Sequence, residues 1–445
     1  MYLIILLLLS VLLIVLSTSR YRFHPFLALL FVAVIFGLFS GMPLSSVAES
    51  INEGFGNTIG HIGIVILAGV IIGTFLEQSG GAYAMANRIL KLTGKKQVPL
   101  TMSIIGYFVS IPVFSDSGFV ILSPLNKALS KEANISLTGP AEALALGLSV
   151  THVLVPPTPG PIAAAGILGA DLGLVIMLGV ITSIPVLIVG WLYATRICSR
   201  IYLDPNPDIS REEIEKTLRT APSAFKSFIP ILFPILLIVL KSVSDFPTRP
   251  FGTGLAREVV GFIGEPVIAL LIGVLLAFSL PRKLDREMLS SAGWVGKALQ
   301  NAAIIILITG AGGAFGMVLR NSEIATVLGE TLAEARMGIL LPFLIAAAIK
   351  SAQGSSTVAL ITAASLIAPM MGPLGFDTDA ARALVVLAIG AGSLVVSHAN
   401  DSFFWIFTQM TGMEVKTGFR IHTLGTLILG VSAALVIWVI SLILL

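Results

Sequence analysis

The chain has 445 residues, of which 56% are hydrophobic and 11% charged, with a formal net charge of +3 and a mean hydropathy of +0.98. An ordinary soluble domain carries about 25% charged residues, so this surface must face lipid, and soluble classes are excluded. The Lys and Arg residues lie in loops between apolar runs, which reads as a membrane-orientation signal and not as a nucleic-acid surface. The one cysteine, Cys198, excludes an intrachain disulfide and a Cys-based metal cluster.

Crossing a bilayer takes about 20 apolar residues, and the length allows roughly ten to twelve spans. In chain order the apolar runs are 2–17, 26–40, 61–79, 99–125, 140–165, 172–194, 227–243, 259–280, 298–319, 339–370, 383–410 and 421–444. The first lacks a basic n-region and a small-residue cleavage site, so it reads as a retained helix and not a signal peptide. Runs 99–125 and 339–370 have polar centres, Pro112-Val113-Phe114-Ser115-Asp116-Ser117-Gly118 and Lys350-Ser351-Ala352-Gln353-Gly354-Ser355-Ser356-Thr357. Broken, polar backbone at membrane depth is tolerated where it lines a buried cavity, so both are expected to be re-entrant hairpins. The polar segment 195–226 is expected to be a surface helix linking two regions, 1–194 and 227–445.

Charge tests this layout. With the N-terminus outside and each hairpin returning to its own side, only Lys241, Arg249, Arg257, Arg320, Arg336, Lys350 and Arg382 of the 27 Lys and Arg fall outside the cytoplasmic loops. That is the positive-inside bias.

The two regions also repeat. Ala68–Gly73 aligns with Thr309–Ala314, Ile111–Leu122 with Ile349–Leu360, and Thr151-His152 with Ser397-His398, in the same order. A second interruption follows each His: Val155-Pro156-Pro157-Thr158-Pro159-Gly160-Pro161 in the first region and Ala399-Asn400-Asp401-Ser402 in the second. In the layout above the copies are inverted. The fold class is therefore an all-α polytopic membrane protein with two inverted repeats, each with a re-entrant hairpin and a broken helix. Such repeats place a transport site near the midplane, where half-helix N-termini offer free N–H groups and a positive dipole end to an anion.

The candidate substrate-binding residues are Ser115, Asp116, Ser117, Gly118, Thr158, Gly160, Lys350, Gln353, Gly354, Ser355, Ser356, Thr357, Asn400 and Ser402. Asp116, Asp401, His152 and His398 are candidates for proton coupling, because ionisable groups inside a membrane are costly. Each has a structural alternative: Asp116 and Asp401 as helix caps, the histidines as buried donors. Lys350 could attract a carboxylate, snorkel to the membrane face, or pair with Asp116 or Asp401. No catalytic set such as His-Glu-x-x-His or Gly-x-Ser-x-Gly occurs in a span, and no Walker motif, so neither an enzyme nor ATP drive is expected. Two broken-helix pairs meeting at one site favour alternating access over a channel. No metal site and no cofactor are expected.

Several motifs together are specific. Gly310-Ala311-Gly312-Gly313-Ala314-Phe315, Ala352-Gln353-Gly354-Ser355-Ser356-Thr357-Val358-Ala359, Ser397-His398-Ala399-Asn400-Asp401-Ser402-Phe403-Phe404-Trp405 and Arg22-Phe23-His24-Pro25-Phe26-Leu27 resemble the gluconate permease family of bacterial proton symporters. The resemblance covers the whole chain. It implies inward, proton-driven transport of gluconate or a related small hydroxylated carboxylate across the inner membrane. It also implies a scaffold domain that forms a homodimer, and a transport domain that moves as an elevator. The chain departs from the family pattern in having Asp116 where a Glu is usual in the first hairpin tip, and Thr158 where a His is usual in the Pro-rich break. A sodium-coupled carrier, or an antiporter of another small anion or a D-serine-like amino acid, is the alternative.

Overall fold

The structure, a computed structural model, describes residues 2–94, 97–205, 219–245, 250–251, 254–322 and 337–445. The described residues are helical, with no strand among them. Residues 206–218 of the 195–226 segment, and Lys95, Lys96, Arg211, Lys216, Arg249 and Arg336 of the charge argument, lie outside the described residues.

The first region runs α1 (Tyr2–Ser19), α2 (Pro25–Phe39), α3 (Leu44–Gln78), α4 (Gly81–Thr93), α5 (Val98–Val109), α6 (Ser115–Glu132), α7 (Thr138–Leu154), α8 (Pro159–Leu168) and α9 (Leu172–Arg196). The second runs α10 (Ala224–Ser244), α11 (Leu255–Ile263), α12 (Pro266–Ala277), α13 (Trp294–Asn321), α14 (Leu340–Gln353), α15 (Ser356–Ile367), α16 (Asp379–Leu394), α17 (Ser402–Thr411) and α18 (Leu424–Leu444). A helical turn at Val415–Gly418 and a π-helical turn at Phe419–Thr423 lead into α18. The order of hairpin, helix, break, short helix and long helix thus occurs twice, as α5–α9 and α14–α18.

Among the described residues six helices are long and apolar enough to cross a bilayer, or seven if the pair α11–α12, bent by 64°, is one span. This is fewer than the ten to twelve expected from length. Much of the apolar sequence goes into helices of 10–17 residues, among them α2, α5, α14 and α15. These are too short to span alone, and the second hairpin consumes two of them, α14 and α15. The 259–280 run is interrupted at Gly264-Glu265 for the same reason. Helix α3 differs in the other direction. It begins at Leu44 and not near 61, and its 35 residues span about 52 Å, well beyond a hydrocarbon core of about 30 Å. Its first turns carry the exposed Glu49 and Glu53, and this polarity hid them from an apolar count.

The centre is formed by α7, buried at every residue, and its counterpart α16. Helix α5 packs on α7, α14 on α16, and α9 and α18 pack on each other and on the central pair. Leucines and isoleucines of α1, α10, α12 and α18 are left exposed, as a lipid-facing surface requires.

Helices α3 and α13 make the most extensive helix pair. Small residues set that crossing, as they do between membrane helices generally. A Cβ on Gly54 would strike the Gly313 carbonyl and come within 2.7 Å of the Met317 Cβ. A Cβ on Gly313 would lie 2.6 Å from the Gly54 carbonyl. Gly56, two residues on, faces open space. Gly54→Ala should therefore cost about 1–3 kcal/mol by overpacking, read as a lowered thermal midpoint of the detergent-purified protein, while Gly56→Ala leaves it nearly unchanged. Equal effects of the two variants would contradict this packing.

Candidate functional site

A cavity of about 310 Å³ lies where the two hairpins and the second break meet. That is the lower end of the size range for small-ligand sites. From the first hairpin it receives Phe114, Ser115, Asp116 and Ser117, the cap and first turn of α6. From the second it receives Lys350 and the start of α15, Ser355, Ser356 and Thr357. Residues Ser397, Asp401, Ser402 and Phe403 come from the second break and the start of α17. Three helix N-termini therefore point into one space. Each first turn has N–H groups without an intrahelical partner and a positive dipole end. Helix starts of this kind suit an anion.

The remaining walls are Ser149, His152 and Val153 of α7, Asn301 of α13, Leu394 of α16 and Thr426 of α18. Spacings of three and four residues put the α7 group on one helical face. His152 is buried, and its Nδ1 has no hydrogen-bond partner among the described residues.

Two carboxylates share the cavity in different states. Asp401 is fully committed. Its Oδ2 accepts from Lys350 Nζ at 2.6 Å and from Ser397 Oγ at 2.6 Å, and its Oδ1 caps α17 by accepting from the Phe403 amide at 3.1 Å. Lys350 is 1% exposed and also donates to the Gly354 carbonyl at the hairpin tip. Of the three sequence alternatives for Lys350, the structure displays the pairing with Asp401. Asp116 is half-buried in the first turn of α6 and accepts one hydrogen bond, from Ser402 Oγ at 3.1 Å. It has no ion-pair partner among the described residues. This contact, with the packing of Phe119 against Phe403 and Phe407, joins the first hairpin to the second break and α17.

Several expected residues lie just outside the lining. His398 Nε2 and Asn400 Nδ2 both bond the Ser351 carbonyl, at 2.9 and 3.0 Å, and so tie the break to the second hairpin. Gln353 donates to the Ser355 carbonyl. Gly354 takes φ 95°, a region glycine tolerates, and a Cβ there would strike the Asn400 backbone. Gly118 and Gly160 are packing glycines, close to Leu148 and Leu360 side chains respectively. Thr158 is buried and its hydroxyl bonds the Val155 carbonyl. The first break therefore contributes no residue to the lining. Chemistry explains this: Pro159 and Pro161 have no N–H to offer, so the α8 start is a poor anion site.

Sequence reasoning missed Ser149, Ser397, Asn301 and Thr426. Ser149 sits one turn before His152, and Ser397 stood in the aligned pair with His398. Nothing local marks Asn301 or Thr426, which reach the cavity from helices distant in sequence. Ser397 is fixed by Thr426, whose hydroxyl accepts from its amide at 3.0 Å, and by Thr423, which donates to its carbonyl at 2.5 Å. These bonds hold Val396 at φ 53°, a strained value for a β-branched residue.

Removing one partner of a buried pair leaves an uncompensated charge, at a cost of about 3–5 kcal/mol. Lys350→Met alone should lower the thermal midpoint more than the double variant Lys350→Met with Asp401→Asn. A double variant that is the sum of the singles would contradict the pairing.

A family model described as GntP family permease matches residues 1–443. An uncharacterized permease of Haemophilus influenzae is 38% identical over 441 residues, covering 95% of this chain and 88% of that protein. A gluconate permease of Pseudomonas aeruginosa is 35% identical over 433 residues, covering 96% and 94%. A high-affinity gluconate transporter of Escherichia coli is 33% identical over 409 residues, covering 91% and 92%. Among solved structures, the YdaH transporter of Alcanivorax borkumensis matches with a TM-score of 0.59 at 15% identity, covering 94% of this chain and 98% of that one, a likeness of fold.

Proposed function

The chain belongs to the GntP family of permeases, and on that premise we propose that it is a secondary symporter taking up gluconate, or a closely related hydroxylated monocarboxylate, with a proton. One observation carries the reading: three helix N-termini and one unpaired carboxylate, Asp116, share a single cavity. The substrate carboxylate takes the N–H groups at the starts of α15 and α17. Its hydroxyls take Ser117, Ser149, Ser356, Thr357 and His152.

An anion in this cavity faces Asp116. Two like charges about 5 Å apart repel by about 3 kcal/mol at an effective dielectric near 20. A proton on Asp116 removes that repulsion, so substrate and proton each favour the binding of the other. This linkage is reciprocal by thermodynamic necessity. Asp401 is a poorer proton carrier, since Lys350, Ser397 and the Phe403 amide already hold its charge. Gluconate is favoured by the names of the relatives from Pseudomonas aeruginosa and Escherichia coli.

We assign α5–α9 and α14–α18 to inverted repeats forming a transport domain, and α1–α4 with α10–α13 to a scaffold that forms a homodimer. The region boundaries 1–194, 195–226 and 227–445 follow the repeats. Asn301 is then the scaffold residue that meets the cargo, and its contact breaks as the domain moves as an elevator. The N-terminus is placed outside the inner membrane, by the distribution of Lys and Arg.

The test uses proteoliposomes and labelled gluconate. A gradient of one pH unit should sustain about tenfold accumulation at one proton per substrate. Asp116→Asn should bring the ratio to about one while counterflow exchange continues. Accumulation driven by sodium alone, or undiminished in Asp116→Asn, would overturn the proton assignment.

A further inference from the structure

A second pair of ionisable groups lies behind the cavity and has no part in the scheme above. Glu142 of α7 and His422 of the π-helical turn are both 0% exposed, with Glu142 Oε2 3.2 Å from His422 Nδ1. The other polar atom of each, Glu142 Oε1 and His422 Nε2, has no hydrogen-bond partner among the described residues. Among the described residues no Lys or Arg pairs with Glu142. The His422 ring stacks on Phe407 at 4.7 Å and meets Phe403 edge-on at 5.4 Å. Tyr193 and Cys198 are the other ionisable groups near the carboxylate, and Gly425 leaves it room, since a Cβ there would strike Glu142 Oε1.

We propose that Glu142 and His422 form a second proton-binding site, a way-station for the one coupled proton on its path to or from the cavity, whose occupancy changes during the transport cycle. The proposal rests on the proton-symport reading and extends it. Charge supplies the first argument. With an ionised Glu142 and a neutral imidazole the pair carries a full negative charge, out of contact with water and with no cation but its own partner. Burying such a charge costs several kcal/mol or more. One additional proton, on either group, makes the pair neutral overall.

Geometry supplies the second. The pair sits about one turn inside the start of α7, at the end where Ser136 and Thr138 bond the Ile201 carbonyl beyond Arg196 and Arg200. Ser149 of the cavity is seven residues further along α7, about 10 Å away. Phe403 both lines the cavity and contacts His422, so one aromatic ring lies between the two sites. The π-turn that carries His422 is a rare form, often found at functional sites. Tyr193 donates to its Ile421 carbonyl at 2.8 Å, and the next residue, Thr423, bonds the Ser397 carbonyl. Ser397 in turn bonds Asp401. A change of charge at His422 is thereby linked by two routes to the residues around the cargo.

The test has two arms. In proteoliposomes, Glu142→Gln should reduce accumulation of labelled gluconate under a one-unit pH gradient from about tenfold to about one, with counterflow exchange retained, and Glu142→Asp should restore part of the driven uptake. Unchanged driven uptake in Glu142→Gln, or driven uptake and exchange lost together with no rescue by Asp, would overturn the proposal. The second arm needs no substrate and no folded variant. Difference infrared spectra of the wild-type protein, with labelled glutamate or labelled histidine, should show a buried proton-binding group that titrates and that exchanges with solvent more slowly than the exposed acids. Absence of any such group overturns the pair alone. Failure of the wild-type protein to accumulate substrate on a proton gradient, with that signal present, overturns the symport reading instead.

Discussion

The bond between Lys350 and Asp401 organises the cavity between the two hairpins and the second break. A buried lysine and a buried aspartate, each costly alone, are tolerable together because both oxygens of the carboxylate are hydrogen-bonded. Asp401 takes the lysine, the Ser397 hydroxyl and the α17 amide. Lys350 also holds the Gly354 carbonyl at the turn between α14 and α15. The second hairpin and the second break are thereby locked to each other, and the starts of α15 and α17 are aimed at the same space. Helix starts in a membrane interior must aim at something polar, because hydrocarbon cannot satisfy their amides.

The polar link from the first hairpin to this frame is lighter, the single bond from Ser402 to Asp116, beside the packing of Phe119 on Phe403 and Phe407. The difference between the carboxylates follows from what surrounds them. Asp401 has its charge neutralised by a partner and behaves as architecture. Asp116 has a single hydroxyl and open cavity beside it, so its charge is free to respond to what enters. In the proposed scheme, three helix dipoles attract the anion and one ionisable group repels it, so that proton binding favours substrate binding. The buried Glu142 and His422 pair lies directly behind the same wall, in contact with Phe403.

Much of this was legible in the sequence, and for identifiable reasons. Polar, Gly-containing centres inside apolar runs marked both hairpins, and the helices break there, at 110–114 and at Gly354-Ser355. The charge of Asp116 and Lys350 inside such runs marked the cavity. Partnership was not legible. That Lys350 takes Asp401 and not Asp116 depends on how α14 meets the second break. The Pro-rich break looked equivalent to its polar counterpart, yet proline lacks the amides that make the latter useful. Glu142 was overlooked because it sits in an alanine- and leucine-rich stretch with its partner 280 residues away. The start of α3 was missed because its polar face resembles a loop.

The central claim is that cargo and proton enter one cavity together. Calorimetric titration of gluconate into the purified protein, repeated in buffers of different ionisation enthalpy, measures it directly. The account predicts net uptake of protons on binding at neutral pH, approaching about one per gluconate as pH rises above the range where Asp116 is already protonated. Binding with no proton uptake at any pH would contradict it.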